Sequence, residues 1–169
     1  SKFSSAEEET KLEILQEDFC SIFDEAKKFE AIELFKKIAK EYQSKNRVYH
    51  NFEHIVSLLF FLKEREQEIR DLNGVRLAAW LHDFVYDTKA KDNEEQSAQY
   101  AQNYLEQLGV PKEITVHTVA LIRATTKHKA IEDDFDSEIF LDGDLAILGS
   151  SKEDYDKYTV KIRKEYAWV

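Results

Sequence analysis

The chain has 169 residues, of which 43% are hydrophobic and 12% aromatic, and this predicts one soluble globular domain over residues 1–169 with a core of its own. The net charge of −10 argues against a nucleic-acid polymer or an anionic membrane as a partner, and no apolar run approaches the roughly 20 residues of a membrane span. The single cysteine, Cys20, excludes an internal disulfide, and without a signal sequence we expect a reducing, cytoplasmic location.

The apolar spacing is helical almost throughout, and four glycines and one proline leave few residues for the tight turns of a strand-rich fold. We therefore predict an all-α domain of about eight helices. The first helix is outlined by Leu12 to Phe23, and the others are predicted over residues 31–42, 51–68, 75–86, 93–108 and 111–126, in a segment that ends at Gly149, and over residues 152–168.

Local signals mark several of these boundaries. Asn73-Gly74 is typical of a turn before the fourth helix. Asn93 followed by Gln96 is typical of an N-cap with its capping-box partner. Gly109 is expected to end the helix that Asn93 begins.

Two histidine motifs indicate the chemistry of the chain. His50 and His54 are four residues apart, which places them on one face of a helix, and the adjacent His82-Asp83 can offer a nitrogen and an oxygen to one cation. His54 and His82 fall within the apolar arcs of their helices, where a histidine without a partner is costly. A lone histidine usually has a structural role, but His54 together with His82-Asp83 favours a metal ion.

A further carboxylate comes from a pair of aspartates, Asp142 and Asp144. They are two positions apart, about 200° around a helix, so only one of them faces the core. Asp144 falls among apolar residues, where a carboxylate is a poor choice unless a cation is present, and Asp142 points to the opposite side. The alternative is an aspartate paired with Lys or Arg; we predict that Asp144 is a metal ligand.

The order His, His-Asp, Asp resembles the ligand order of the HD superfamily of metal-dependent phosphohydrolases. Tyr49-His50-Asn51-x-x-His54 is similar to the signature of its cyclic-nucleotide phosphodiesterase branch, in which the first histidine is a general acid and the second binds metal. Gly143-Asp144-Leu145 resembles the Ala-Asp-Leu around the last ligand of the same enzymes. The resemblance implies an all-α hydrolase with His50 as general acid and with the metal held by His54, His82, Asp83 and Asp144.

A longer pattern, over roughly residues 35–169, is similar to a bacterial family of predicted HD phosphohydrolases. Two features depart from these relatives. The glutamine-based purine clamp of the phosphodiesterases cannot be located, and chains of the bacterial family usually continue past the equivalent of Val169, so we expect a C-terminal helix to be missing. The segments that carry the resemblance are Ala78–Asp83, Asp92–Ala98, Leu141–Gly149 and Ile162–Tyr166.

The remaining polar candidates each have two explanations. His50 is either a general acid, which needs a pKa near the working pH, or a histidine that caps its helix. Glu94 and Glu95 either orient a water molecule at the metal or only complement the positive end of a helix.

His117 and His128 lie on one helical face if the helix continues between them. Binuclear HD enzymes carry extra histidines in this region, so the resemblance allows a second ion. Lys127 and His128 could instead contact a phosphate, and so could Arg163, unless these residues are solvated charges.

We therefore hypothesise a metal-dependent phosphohydrolase that cleaves a phosphate ester or anhydride of a small molecule, expected to be a nucleotide, with water activated by the metal. Mixed nitrogen and oxygen ligands favour Mn, Fe, Co, Ni or Zn over Mg, with one ion or two. Two alternatives stay open: a non-catalytic metal-containing nucleotide-binding module, and a di-iron oxygenase of the HD type. The sequence does not indicate the physiological substrate or the oligomeric state.

Overall fold

A computed structural model describes residues 5–44, 52–87, 89–146 and 152–166 of the chain. Within these ranges the structure consists of α-helices, two short 3-10 turns and loops, and contains no strand, so the prediction of an all-α fold is confirmed. None of the described helices is long and apolar enough to cross a membrane. The helices are α1 (Ser5–Cys20), α2 (Lys28–Tyr42), α3 (Phe52–Glu64), α4 (Leu72–Leu81), α5 (Asn93–Gln107), α6 (Lys112–Ala124), α7 (Phe135–Ala146) and α8 (Lys152–Tyr166).

Helix α4 begins and ends earlier than predicted. The Asp71 carboxylate accepts a hydrogen bond from the Gly74 backbone N–H (2.9 Å), and this N-cap starts the helix before the Asn73-Gly74 pair. The predicted turn is therefore wrong, because both residues lie in the first turn of α4. The helix ends at Leu81, which places His82 and Asp83 in the turn that follows it.

The start of α5 also differs from the prediction. Asn93 is the first helical residue rather than the N-cap, and its side chain bonds to both backbone groups of Asp87 (3.1 and 2.9 Å). Gln96 donates to the side chain of Asp92, so the predicted capping box is wrong. Asn93 instead closes the loop that joins the end of α4 to α5. At the other end of the helix, Gly109 has a positive φ of 71°, as expected for a helix-ending glycine.

Aromatic packing around Trp80 holds α4 in the middle of the fold. Trp80 is fully buried, and its ring lies 5.4 Å from Phe19, 5.7 Å from Phe35 and 6.1 Å from Phe52, measured between centroids. These partners belong to α1, α2 and α3, so one side chain ties three helices to α4. Aromatic pairs of this kind add about 0.5–1.5 kcal/mol each beyond the burial of their area. The turn that follows α4 therefore starts from a rigid support.

Candidate metal centre

Two buried histidines converge on one carboxylate. The Nε2 atom of His54 lies 3.0 Å from Oδ1 of Asp144, and the Nε2 atom of His82 lies 3.2 Å from the same oxygen. Oδ2 of Asp83 lies 3.2 Å from Nε2 of His82. His54, His82 and Asp144 are all buried, and they can offer three ligand atoms within 4.8 Å of one another. We call His54, His82, Asp83 and Asp144 the candidate metal centre.

Helix α7 delivers Asp144 to the centre because it rests directly on α3. A Cβ atom at Gly143 would lie only 2.6 Å from the Phe61 ring and 2.8 Å from the Leu58 side chain, so the absence of a side chain permits this close approach. Asp144 is the next residue and faces His54 on α3. Asp142 is exposed on the other side of α7, as the helical geometry predicts.

The turn after α4 is held by hydrogen bonds that fix His82 and Asp83. The Nδ1 atom of His82 lies 3.0 Å from the Ala79 carbonyl oxygen, so this nitrogen donates its hydrogen and leaves Nε2 facing the carboxylates. The Tyr42 hydroxyl accepts from the Asp83 backbone N–H (3.2 Å) and donates to the Trp80 carbonyl (2.9 Å). This network sets the ring orientation that a metal ligand requires.

Attraction between the histidines and the carboxylates of the candidate metal centre determines which of them carry protons. Burial disfavours the charged form of His82, but the carboxylates of Asp83 and Asp144 outweigh burial and raise the pKa of His82 well above its ordinary value. Burial alone would raise the pKa of Asp144, but the charge of His82 and the hydrogen bonds with His54 and His82 hold it far below its ordinary range. Asp144 is therefore a carboxylate at all ordinary pH values and needs a positive partner, either a proton on the histidines or a metal ion.

The donor set and its spacing fit a divalent transition metal. Two ligands bound about 2.1 Å from one ion and separated by roughly 90–110° lie roughly 3.0–3.4 Å apart. The nitrogen-to-oxygen distances of the centre, 3.0 to 3.2 Å, fall in that range. Imidazole with carboxylate suits Mn, Fe, Co, Ni and Zn. The residues therefore fit the predicted kind of metal, which would be held by His54, His82 and Asp144, with Asp83 beside them.

His128 joins the centre from the side that is open to solvent. Its Nε2 atom lies 3.1 Å from Oδ2 of Asp144, and 40% of its side chain is exposed. Its backbone has a positive φ of 49°, a conformation that is uncommon for a residue with a side chain. Strain of this kind is often found at functional sites. Both oxygens of Asp144 thus face histidines, Oδ1 toward the interior and Oδ2 toward the surface.

The other predicted site residues are distributed as follows. Glu95 does not bond to the centre, because its carboxylate receives two hydrogen bonds from Arg123 (2.9 and 3.0 Å), and the bonds from Arg123 lower the pKa of Glu95. Glu94 is half-buried in the first turn of α5, and Lys127 is exposed beside His128. His50 lies outside the described residues.

Arg163 lies away from the predicted site. It is exposed on α8 and lines a groove between α8 and α1, together with Glu7 and Thr10. The groove contains none of the residues of the candidate metal centre. The structure therefore does not bring Arg163 to the predicted phosphate site, because the last helix faces α1 at this position.

His117 does not share a site with His128. Helix α6 ends at Ala124, so the helical face expected to connect the two histidines is interrupted. The His117 ring lies between two carboxylates instead: Nδ1 is 2.7 Å from Oδ2 of Asp71, and Nε2 is 2.7 Å from Oδ2 of Asp134. Asp136 lies near this group, and its carboxylate accepts hydrogen bonds from the backbone N–H groups of Arg70 and Asp71 (2.9 Å each).

Three residues that support the centre were not predicted. Tyr42 braces the turn after α4, Ser97 accepts a hydrogen bond from the Val85 backbone N–H (3.0 Å), and Phe140 packs edge-on against the His82 ring at 5.8 Å. Tyr42 and Phe140 occupy apolar arcs, where nothing distinguishes them from other core residues. Ser97 lies within the segment Asp92–Ala98 that carries the family resemblance, and this was the only signal for it.

Comparisons with known proteins identify no relative of this chain. No protein-family model matches the chain, and no curated protein or solved structure matches it either. The activity of the chain must therefore be inferred from its own residues and their geometry.

Proposed function

We propose that the protein is a metal-dependent phosphohydrolase of the HD type that cleaves a phosphate ester or anhydride of a small molecule such as a nucleotide. The single observation that carries this proposal is the convergence of His54 and His82 on one oxygen of the buried Asp144. A buried carboxylate with two imidazoles is costly as an isolated polar group and suits a divalent ion. The HD-like order of these residues along the chain supports the same reaction class.

The buried residues and the exposed residues of the site have different proposed roles. His54, His82 and Asp144 hold the ion, and Asp83 lies beside His82. When bound there, a divalent ion would lower the pKa of a water molecule, so that hydroxide is present near neutral pH, and would withdraw charge from a phosphoryl oxygen. We propose that His128, whose side chain is 40% exposed, donates a hydrogen bond to a substrate phosphate, and that Lys127 adds positive charge next to it.

His50 is proposed as the residue that protonates the leaving oxygen. It precedes His54 by four residues in the sequence, and the role requires a group that exchanges protons near neutral pH. The proposal for His50 rests on the sequence motif.

A substrate screen with matched variants tests the function. Purified protein loaded with Mn, Fe(II), Co, Ni or Zn is assayed against nitrophenyl phosphomonoesters and phosphodiesters, nucleoside phosphates and cyclic nucleotides. We expect hydrolysis that requires the metal and disappears in Asp144→Asn. It should persist in the control Asp142→Asn, because the Asp142 side chain is exposed on the opposite side of α7. Metal-loaded protein that binds a nucleotide without cleaving any substrate would instead support the non-catalytic nucleotide-binding module.

One observation favours a second candidate, a di-iron oxygenase. The two oxygens of Asp144 face different histidines, with His54 and His82 at Oδ1 and His128 at Oδ2, so these residues would offer ligands to a second ion. Metal analysis of anaerobically iron-loaded protein separates the candidates. Two irons per chain and an absorption spectrum that changes on exposure to dioxygen would favour the oxygenase, whereas one ion without such a change favours the hydrolase.

A further inference from the structure

We propose that His117, held between two carboxylates, is a proton-dependent clamp that sets how α4, α6 and α7 lie side by side and thereby positions the metal ligands at their other ends. We call Asp71, His117, Asp134 and Asp136 the His117 clamp. The positioning half of this inference rests on the proposed function of the candidate metal centre.

The His117 clamp and the candidate metal centre are joined by the same three segments. One segment carries Asp71 and His82 at its two ends, a second carries His117 and His128, and a third carries Asp134 and Asp144. In each segment the two residues are ten or eleven positions apart. Helices α4 and α7 span nearly all of that separation, about 15 Å of helix, whereas α6 ends at Ala124, four residues before His128. At both ends the residues of the three segments are in contact. We therefore expect a displacement at the His117 clamp to reach His82 along α4 and Asp144 along α7.

Backbone contacts tie the His117 clamp to the helix starts. Asp71 caps α4 through Gly74, and a Cβ atom at Gly74 would lie only 2.1 Å from the Asp71 carboxylate. Asp136 in the first turn of α7 accepts from the backbone N–H groups of Arg70 and Asp71. The His117 ring on α6 then bonds to Asp71 and to Asp134, directly before α7. Three helix positions thus depend on one imidazole.

His117, Asp134 and Asp136 bring three ligand atoms within 4.8 Å of one another, but the bond lengths favour a proton over a metal ion. Both nitrogen-to-oxygen distances of the His117 clamp are 2.7 Å, the length of a charge-assisted hydrogen bond and shorter than the roughly 3.0–3.4 Å between two ligands of one ion. Both ring nitrogens face carboxylate oxygens, which can only accept, so the ring bonds to both when both nitrogens carry hydrogens. The clamp is complete only when His117 is protonated.

The surrounding charges favour that proton. Asp71 faces His117 from the start of α4, and Asp134 and Asp136 face it from the start of α7. On α5, Glu95 pairs with Arg123, about two turns further along α6. The pKa of His117 is raised from 6.5 to about 9. The hydrogen bond to Asp71 has the largest effect, burial of the ring acts in the opposite direction, and the hydrogen bond to Asp134 raises the pKa further. Because the folded state holds this proton more tightly, the stabilisation is complete below about pH 6.5 and is lost as the pH rises through about 9.

The test compares metal-free wild type with His117→Gln, which cannot carry the charge. Thermal unfolding is followed from pH 6.5 to pH 10 in the presence of a chelator, with Glu33→Gln as the control, since Glu33 forms an exposed pair with Lys36 on α2. We expect the melting temperature of wild type and of the control to fall by about 2–4 °C more than that of His117→Gln over this range. Parallel curves for wild type and His117→Gln would overturn the clamp.

Asp134→Asn gives a milder second variant in case His117→Gln does not fold. It keeps the shape of the side chain and removes one of the two charges that hold the proton. We expect the pH-dependent loss of stability to move to lower pH than in wild type. A loss at an unchanged pH would contradict the clamp.

Cobalt affinity tests the positioning half. At pH 7 we expect His117→Gln to bind Co²⁺ about 2–30-fold more weakly than wild type, and Glu33→Gln to bind it with wild-type affinity; equal affinity in His117→Gln would overturn positioning. Co²⁺ that is retained in Asp144→Asn but lost in His117→Gln would place the ion at His117 and overturn the clamp. If wild type binds no Co²⁺, the proposed function and the positioning half both fail, whereas the pH experiment still decides the clamp.

Discussion

The candidate metal centre and the His117 clamp are built from the same two residue types, histidine and aspartate, in different arrangements. In the candidate metal centre two imidazoles share one oxygen of Asp144, at 3.0 and 3.2 Å. In the His117 clamp two carboxylates share one imidazole, at 2.7 Å each. Two buried imidazole nitrogens that face one oxygen can bind a metal ion together with it. Two carboxylates at opposite nitrogens of one ring instead each accept a hydrogen bond when the ring is protonated. The arrangement and the distances separate the two clusters, whereas the residue types alone do not.

The largest expected difference separates Asp144 from Asp142. Asp144→Asn removes the charge at the point where both histidines converge, and we expect Co²⁺ or Zn²⁺ affinity to fall by more than about 100-fold, since even residues behind the ligands of a metal typically contribute 10–100-fold. Asp142→Asn should stay within a few-fold of wild type. Isothermal titration of both variants checks this, and loss of metal in Asp142→Asn alone would mean that the wrong carboxylate has been chosen.

The next prediction asks whether the candidate metal centre is catalytic. If His50 is the general acid, His50→Gln should keep its metal and lose about 10²–10⁴-fold in turnover. The loss should be smaller for nitrophenyl phosphates, whose leaving groups need less protonation. Rates with two leaving groups, measured beside the metal content, check this; a variant that loses its metal would instead make His50 a ligand.

A third prediction concerns the contact between α7 and α3. Gly143→Ala would place a methyl group within 2.6–2.9 Å of Phe61 and Leu58, and relief of such overpacking typically costs about 1–3 kcal/mol. Because Asp144 moves with the backbone, metal affinity should fall together with stability, which denaturant unfolding and metal titration measure separately. A stable variant with full metal affinity would show that α7 adjusts without moving Asp144.

A smaller effect is expected at the start of α4. Gly74→Ala would displace the Asp71 carboxylate, and loss of an N-cap costs about 0.5–2 kcal/mol. The same displacement breaks one bond of the His117 clamp, so the deficit relative to wild type should be larger at pH 7 than at pH 10, where His117 has lost its proton. Unfolding at the two pH values measures this, and an equal deficit would mean that Asp71 acts only as a cap.

The angular spacing of residues predicts burial well within a regular helix and poorly at its end. The spacing predicts that Asp144 rather than Asp142 faces the core, and the burial of the two residues agrees because α7 continues through both. The same spacing puts His117 and His128 on one face only if the helix continues between them, and α6 ends at Ala124.

The position of a helix end depends on which side chain bonds to the free backbone groups there, and the spacing of apolar residues does not indicate this. Asp71 begins α4 early because its side chain can reach the Gly74 N–H. Asn93 bridges Asp87 rather than capping α5 because a loop must be closed there. Pairings between distant segments, such as Asp71 with His117, have no periodic signature in the sequence.

The connection between α6 and α7 contains two non-glycine residues with positive φ, His128 at 49° and Asp133 at 58°. His128 contacts Asp144, and Asp133 directly precedes Asp134 of the His117 clamp. Glycine adopts this backbone without the roughly 1–2 kcal/mol that other residues lose there, although it also loses more chain entropy on folding. In His128→Gly the relief of strain and the loss of the contact with Asp144 act in opposite directions, so we expect metal affinity to fall with little loss of stability. His128→Gly would thus separate the contribution of His128 to the candidate metal centre from its contribution to folding.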